Sequence, residues 1–132
     1  MADKLHFDLV SPERRLFRGE VDMVVVPGEE GDFGVLPGHA PVMSAIRSGA
    51  ISVHSGDDIK RTFIHGGFAE VTPEGLTVLA EEAIDMASVN AEQLAKDLAE
   101  AREDIGLARD EHERHIAEDK VAKFEALTEA LK

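Results

Sequence analysis

The hydrophobic period of this chain changes once, near Ala87, and that change constrains the fold more than any other feature. Before it, apolar and polar residues alternate in short runs, the period of a strand with one buried face. Leu5, Phe7 and Leu9 alternate with His6, Asp8 and Val10, and Val21, Met23 and Val25 alternate with Asp22, Val24 and Val26. Short segments follow at 43–46, 50–54, 59–65, 68–71 and 76–80. Turn signals divide them: Ser48-Gly49, Ser55-Gly56-Asp57-Asp58, Gly66-Gly67 and Thr72-Pro73-Glu74-Gly75. Many short strands at near-regular spacing predict an antiparallel β-sandwich or flattened barrel over 1–87. No stretch in this half reads as a crossover helix, so no parallel sheet is expected.

After Ala87 there is no proline, and Gly106 is the only glycine. Asn90 with Gln93 three residues on resembles a capping box. Leu94, Leu98, Ala101 and Ile105 then make one apolar stripe on a helix, which Gly106 is expected to break. A second helix is predicted from about Asp110, with Ile116, Val121, Phe124, Leu127 and Leu131 as its stripe. The expectation for 88–132 is an antiparallel hairpin of two helices. It is rich in alanine, which favours helix and also gives little burial energy per residue, ~0.8 kcal/mol per CH₂-sized group. Two readings of this composition stand side by side: a hairpin held lightly enough to detach from the β domain, and alanine's simple preference for helix.

Composition narrows the function. A net charge of −13 argues against nucleic acid and against adsorption to anionic lipid, since both repel an acidic surface. There is no cysteine, hence no disulfide framework and no thiolate zinc site. No run approaches the ~20 apolar residues of a membrane-spanning helix. Residues 1–10 alternate and carry Asp3 and Asp8, and read as neither a secretory signal nor an Arg-rich transit peptide. The expectation is a soluble chain whose association with any membrane is indirect.

The stretch Pro27-Gly28-Glu29-Glu30-Gly31-Asp32-Phe33-Gly34-Val35-Leu36-Pro37-Gly38-His39-Ala40-Pro41 holds four glycines and three prolines directly after Val24-Val25-Val26. A strand is expected to end at Pro27, which has no N–H for a ladder. Positive φ at the glycines would let the chain reverse twice, Gly34 among them. Phe33, Val35 and Leu36 are expected to pin the loop to the core, leaving Glu29, Glu30 and Asp32 to face water or a partner. A long loop of so specified a shape is more often a docking surface than a passive connector.

Catalytic readings fail one by one. Asp32-Phe33-Gly34 matches the kinase metal-binding triplet, but the chain is too short for a kinase and has no His-Arg-Asp loop. His112 and His115 are spaced i, i+3 where a zincin pair needs i, i+4, and no third ligand is apparent, so a solvated helix face is the better reading. His39 has no serine or cysteine nucleophile to serve. The acid pairs Glu29-Glu30, Asp57-Asp58 and Glu81-Glu82 are adjacent, and adjacent strand residues point to opposite faces. Neither a P-loop nor a Rossmann fingerprint is present. No catalytic residue, metal or cofactor is assigned, and the pattern reads as an interaction module.

The motifs resemble those of the epsilon chain of bacterial rotary ATP synthases, the counterpart of the mitochondrial delta chain. The resemblance runs through Leu9-Val10-Ser11-Pro12-Glu13, Leu16-Phe17, Gly31 to Pro41, Gly66-Gly67-Phe68-Ala69-Glu70-Val71 and Thr77-Val78-Leu79-Ala80, and covers essentially the whole chain. It implies a β-sandwich followed by a helical hairpin, and a non-catalytic rotor role in the central stalk. By that resemblance the sandwich binds the gamma subunit and rests on the ring of membrane c subunits. Glu29, Glu30, Gly31 and Asp32 face the c-ring, and His39 and Pro41 lie toward gamma. The helices could reach the beta and alpha subunits. The location implied is the cytoplasmic face of a bacterial inner membrane, peripherally bound within the proton-translocating complex.

Two departures from the family pattern matter. Some members bind ATP through Ile-Asp-x-x-Arg-Ala, and the aligned residues here, Val89 to Leu94, put Asn90 and Gln93 where the acid and the arginine stand. No nucleotide site is therefore expected. Residues 90–132 hold 12 acids against 7 Lys and Arg, the wrong sign for attraction to acidic segments of beta, so at most weak inhibition of ATP hydrolysis is expected. The rival reading is a free-standing β-sandwich module for a sugar or peptide, but the chain has no Trp or Tyr to supply an aromatic platform.

Overall fold

A computed structural model describes residues 3–132; Met1 and Ala2, which open the alternation of residues 1–10, lie outside the described residues. The chain divides into two compact units, Met1–Ala87 and Ser88–Lys132. The first carries β1 (Leu5–Val10), β2 (Arg15–Val21), β3 (Met23–Gly28), β4 (Gly31–Val35), β5 (Val42–Ala45), β6 (Gly49–Ser55), β7 (Asp58–Thr72) and β8 (Gly75–Asp85). They form one sheet in the order β2-β1-β8-β7-β6-β3-β4, with β5 on β7. The sheet curls so that β2 approaches β6, enclosing the core. Leu5, Phe7 and Leu9 of β1 point inward, and meet Val24 and Val26 of β3, Val35 of β4, Ile51 of β6, Ile64 of β7 and Val78 of β8. Each fully buried side chain of this kind contributes ~1.5–3 kcal/mol.

Three expectations change. First, β1 and β8 pair in parallel, from Phe7–Leu76 to Val10–Leu79, while every other pairing is antiparallel. The crossover is the rest of the unit, long enough to return the chain without a helix. Secondly, the run Val21–Val26 is split between two strands. Val21 and Val24 are both buried, three residues apart, because Asp22 lies between β2 and β3. Its N–H donates to the His54 carbonyl at 2.8 Å, and its carboxylate accepts from Lys4 Nζ and from the Gly56 N–H at 2.6 Å. The Lys4 hydrogen bond, then that of Gly56, holds the Asp22 carboxyl below its ordinary range.

Thirdly, Gly66-Gly67 is no turn between strands but a kink inside β7. The register with β8 passes through it unchanged, from His65–Glu82 to Gly67–Ala80. On its other side β7 changes neighbour there: Asp58 to Ile64 pair with β6, and Phe68 to Val71 with β5. Gly67 has φ +139°, and a Cβ there would lie 2.0 Å from the Leu79 carbonyl oxygen.

A short 3₁₀ turn, Met86–Ser88, spans the boundary, and the second unit comprises α1 (Ala91–Leu107) and α2 (Glu111–Ala130), packed on each other. Asn90 caps α1 by accepting from the Gln93 N–H at 2.9 Å, and Asp110 caps α2 by accepting from the Glu113 N–H at 2.8 Å. The α1 helix includes Gly106 and ends at the next residue, Leu107, close to the expected break, and Asp110 then opens α2 as its cap. Leu94 and Ala101 of the first predicted stripe are buried. In α2 the buried residues are Ala117 and Leu127, and Ile116 is exposed.

Candidate partner-docking surface

The stretch from Pro27 to Pro41 is a strand hairpin and a turn rather than one long loop. β3 continues through Pro27 to Gly28, the two-residue connection Glu29-Glu30 follows, and β4 returns from Gly31. Pro27 is tolerated because its polar backbone faces away from β4. Its carbonyl accepts from the Arg47 N–H at 3.0 Å, and in an extended strand a residue's N–H and C=O point to the same side. The missing N–H therefore costs the β3–β4 ladder nothing. Beyond Val25, where pairing with β6 stops, residues 45–47 take over that flank. Glu29 N–H donates to the Ala45 carbonyl at 3.0 Å, and Gly28 bridges to Ile46.

Gly31 has φ +139° and Gly38 φ +83°, so the two reversals sit at these glycines. Gly34 does not have positive φ, and a Cβ there would meet only Met23 Sδ at 3.6 Å, an ordinary contact. Val35 is buried and Phe33 packs against the core, but Leu36 is 54% exposed and pins nothing. Leu36 opens the second turn instead, its carbonyl accepting the His39 N–H at 3.1 Å. His39 Nδ1 lies 2.7 Å from the Ala40 carbonyl, which makes Nδ1 the protonated nitrogen.

A shallow groove of about 400 Å³ joins the two halves of the stretch; Glu30, Gly31, Asp32, His39 and Pro41 all line it. Glu29 stands beside it, exposed at the hairpin tip. Past Pro41 the surface turns apolar. Across the sheet Ala45 faces Phe68 and Phe68 faces Leu79, with Met43 two residues from Ala45 on the same side. Phe68, Leu79 and Met43 are 54%, 54% and 65% exposed. Large side chains lying open in one row mark a contact surface more often than a free one. Alternation in the sequence gave no warning of this row, because it reports which residues share a face and not whether that face is covered.

Sequence reasoning also missed Arg47. Its Nη2 donates to Asp32 Oδ1 at 2.6 Å and its Nη1 to the Gly28 carbonyl at 3.4 Å. Only the fold brings residues 28, 32 and 47 together, so no local pattern could have shown it. Among the described residues, no group of three or more His, Cys, Asp and Glu is placed to hold a metal. Among the described residues no helix is long and apolar enough to cross a membrane. At the start of α1, Asn90 is engaged as the cap and Gln93 Nε2 donates to Asp97 at 3.0 Å.

Residues 4–86 match the family model of the ATP synthase delta/epsilon chain, β-sandwich domain. The chain belongs to this family. It is 68% identical over 127 residues to the ATP synthase epsilon chain of Maricaulis maris, covering 96% of each. It is 47% identical over 133 residues to that of Rhodospirillum rubrum, covering 100% of this chain and 99% of the other. Among solved structures it resembles a chain of the Euglena gracilis mitochondrial ATP synthase assembly of OSCP, F1 and c-ring, with TM-score 0.83 and 29% identity over 98% of this chain and 82% of that one. A chain of the Tetrahymena thermophila mitochondrial enzyme shares the fold at TM-score 0.69 and 13% identity. As an epsilon-type chain, the protein is a non-catalytic rotor subunit of the ATP synthase and no enzyme by itself.

Proposed function

We propose that the β unit joins two moving parts of the rotor, binding gamma and the c-ring, so that rotation of the ring is passed to gamma and from there to ATP synthesis. The observation that carries this reading is the groove shared by the two halves of the Pro27–Pro41 stretch. It sets the acidic hairpin beside His39 and Pro41, and the exposed apolar row of Met43, Phe68 and Leu79 lies on the strands that follow. In this reading Glu29, Glu30, Gly31 and Asp32 meet the polar loops of the c-ring, while His39, Pro41 and the apolar row meet gamma. An apolar row suits a lasting interface and an acidic tip suits a polar one. The complex would place the chain on the cytoplasmic face of a bacterial inner membrane, held there by its partners. The helices are available to the catalytic head without being needed for assembly.

The core residues of the first unit all precede Ala87, so a fragment of residues 1–87 is expected to fold. It should co-purify with gamma as the full chain does. Phe68→Gln with Leu79→Thr in the full chain should abolish that recovery while the thermal unfolding midpoint changes little, since both side chains are already largely exposed and the facing pair gains no like charges. A fragment that unfolds cooperatively but leaves gamma behind would assign gamma binding to the helices and overturn the division of roles.

A further inference from the structure

The three acids of the hairpin are not equivalent. All three are exposed, but Asp32 is engaged within the chain by Arg47, 2.6 Å away, whereas Glu29 and Glu30 stand at the tip of the hairpin. Arg47 meets the hairpin at three points, each on a different residue. Its N–H reaches the Pro27 carbonyl at 3.0 Å, Nη1 the Gly28 carbonyl at 3.4 Å and Nη2 the Asp32 carboxylate at 2.6 Å. These points span both strands of the hairpin, β3 and β4. A planar guanidinium with fixed N–H directions can set an angle between two strands in a way that the point charge of a lysine cannot. The second fastening, from Glu29 N–H to the Ala45 carbonyl, comes from the same flank two residues before Arg47.

Resting on the reading of this hairpin as a contact with the polar part of the rotor, we infer that Arg47 is a positioning residue that fixes the hairpin's direction, and that Glu29 and Glu30, not Asp32, are the charges offered to a cationic surface of the partner. Neutralising Asp32 removes an anchor, and neutralising the tip removes the contact itself.

The test uses the full chain rebound to membranes stripped of this subunit, with binding measured by titration. Glu29→Gln with Glu30→Gln should weaken binding about tenfold and flatten its salt dependence. Arg47→Ala and Asp32→Asn should each weaken binding about three- to fivefold, and their combination should be no worse than either alone, the signature of two residues acting through one contact. The exchanged pair Arg47→Asp with Asp32→Arg should recover at least half of the loss. Hydrogen exchange at the Glu29, Glu30 and Gly31 amides should quicken in Arg47→Ala and not in the tip variant. Additive losses from Arg47→Ala and Asp32→Asn, or an unchanged affinity in Arg47→Ala, would overturn the inference while leaving the hairpin a contact. If the tip variant binds normally, the contact reading itself fails, and the inference with it.

Discussion

Gly67→Ala should be among the most damaging single-methyl changes in this chain. Gly67 has φ +139°, where a residue with a Cβ carries ~1–3 kcal/mol of strain. The added carbon would start 2.0 Å from the Leu79 carbonyl oxygen, 3.1 Å from its carbon and 3.2 Å from Ala80 Cα. All of these are backbone atoms of the paired strand, so no side chain can swing aside. β7 and β8 must separate locally, and the pair Gly67–Ala80 with its neighbours loses about one hydrogen bond, ~0.5–1.5 kcal/mol. The sum is ~2–4 kcal/mol against a typical domain stability of ~5–15 kcal/mol. For a unit of this size ~1 kcal/mol moves Tm by ~4–8 °C, so Tm of the β unit should fall by about 10–25 °C. Circular dichroism melting of the 1–87 fragment reads this directly, and Gly34→Ala serves as the control because its Cβ meets nothing closer than 3.6 Å. A Gly67→Ala protein melting within 2–3 °C of the parent, a shift worth under ~1 kcal/mol, would show that the kink needs no glycine.

The remaining predictions concern charge and regulation. Asp22 has its carboxyl held below the ordinary range, so its contribution is present above the unfolded-state pKa and is lost as pH falls through the folded one. Asp22→Asn should therefore lower Tm at pH 7, and the gap to the parent should close as pH drops below ~4; a constant gap down to pH 2 would contradict it. The isolated chain should show no saturable ATP binding by calorimetry at low millimolar concentration, since Asn90 and Gln93 are engaged in the helix itself. Deleting residues 88–132 should raise ATP hydrolysis by the assembled enzyme less than tenfold, under ~1.4 kcal/mol. The basic residues Arg102, Arg109, Arg114 and Lys132 already pair with acids of the same hairpin, and exposed pairs contribute only ~0–1 kcal/mol each.

Local signals and the fold agree where neighbours in sequence are neighbours in space. The β1 alternation buries Leu5, Phe7 and Leu9, and Asn90 and Asp110 cap the helices through groups three residues away. β2 gave no such signal, because an edge strand bearing Arg15, Phe17 and Arg18 leaves most of its side chains in solvent. The rule that proline ends a strand holds when both flanks need an N–H, and fails at Pro27, whose outer flank only accepts one from Arg47. The glycines of Pro27–Pro41 are alike on paper, yet Gly31 and Gly38 take positive φ while Gly34 does not. Pairing register decides that, and register is set far away. Arg47 and the row of Met43, Phe68 and Leu79 belong to the same class: they exist only once β3, β5, β7 and β8 are assembled.

The central claim is that this chain works as a bound part of the rotor. Epitope-tagged full-length chain, expressed at its natural level and affinity-purified from detergent-solubilised membranes, tests it most directly. Gamma and c subunits, together with alpha and beta, should be recovered in constant ratio to the tag. Recovery of the tagged chain alone, or with partners other than these, would contradict a place in the rotor and return the chain to the class of free-standing binding modules.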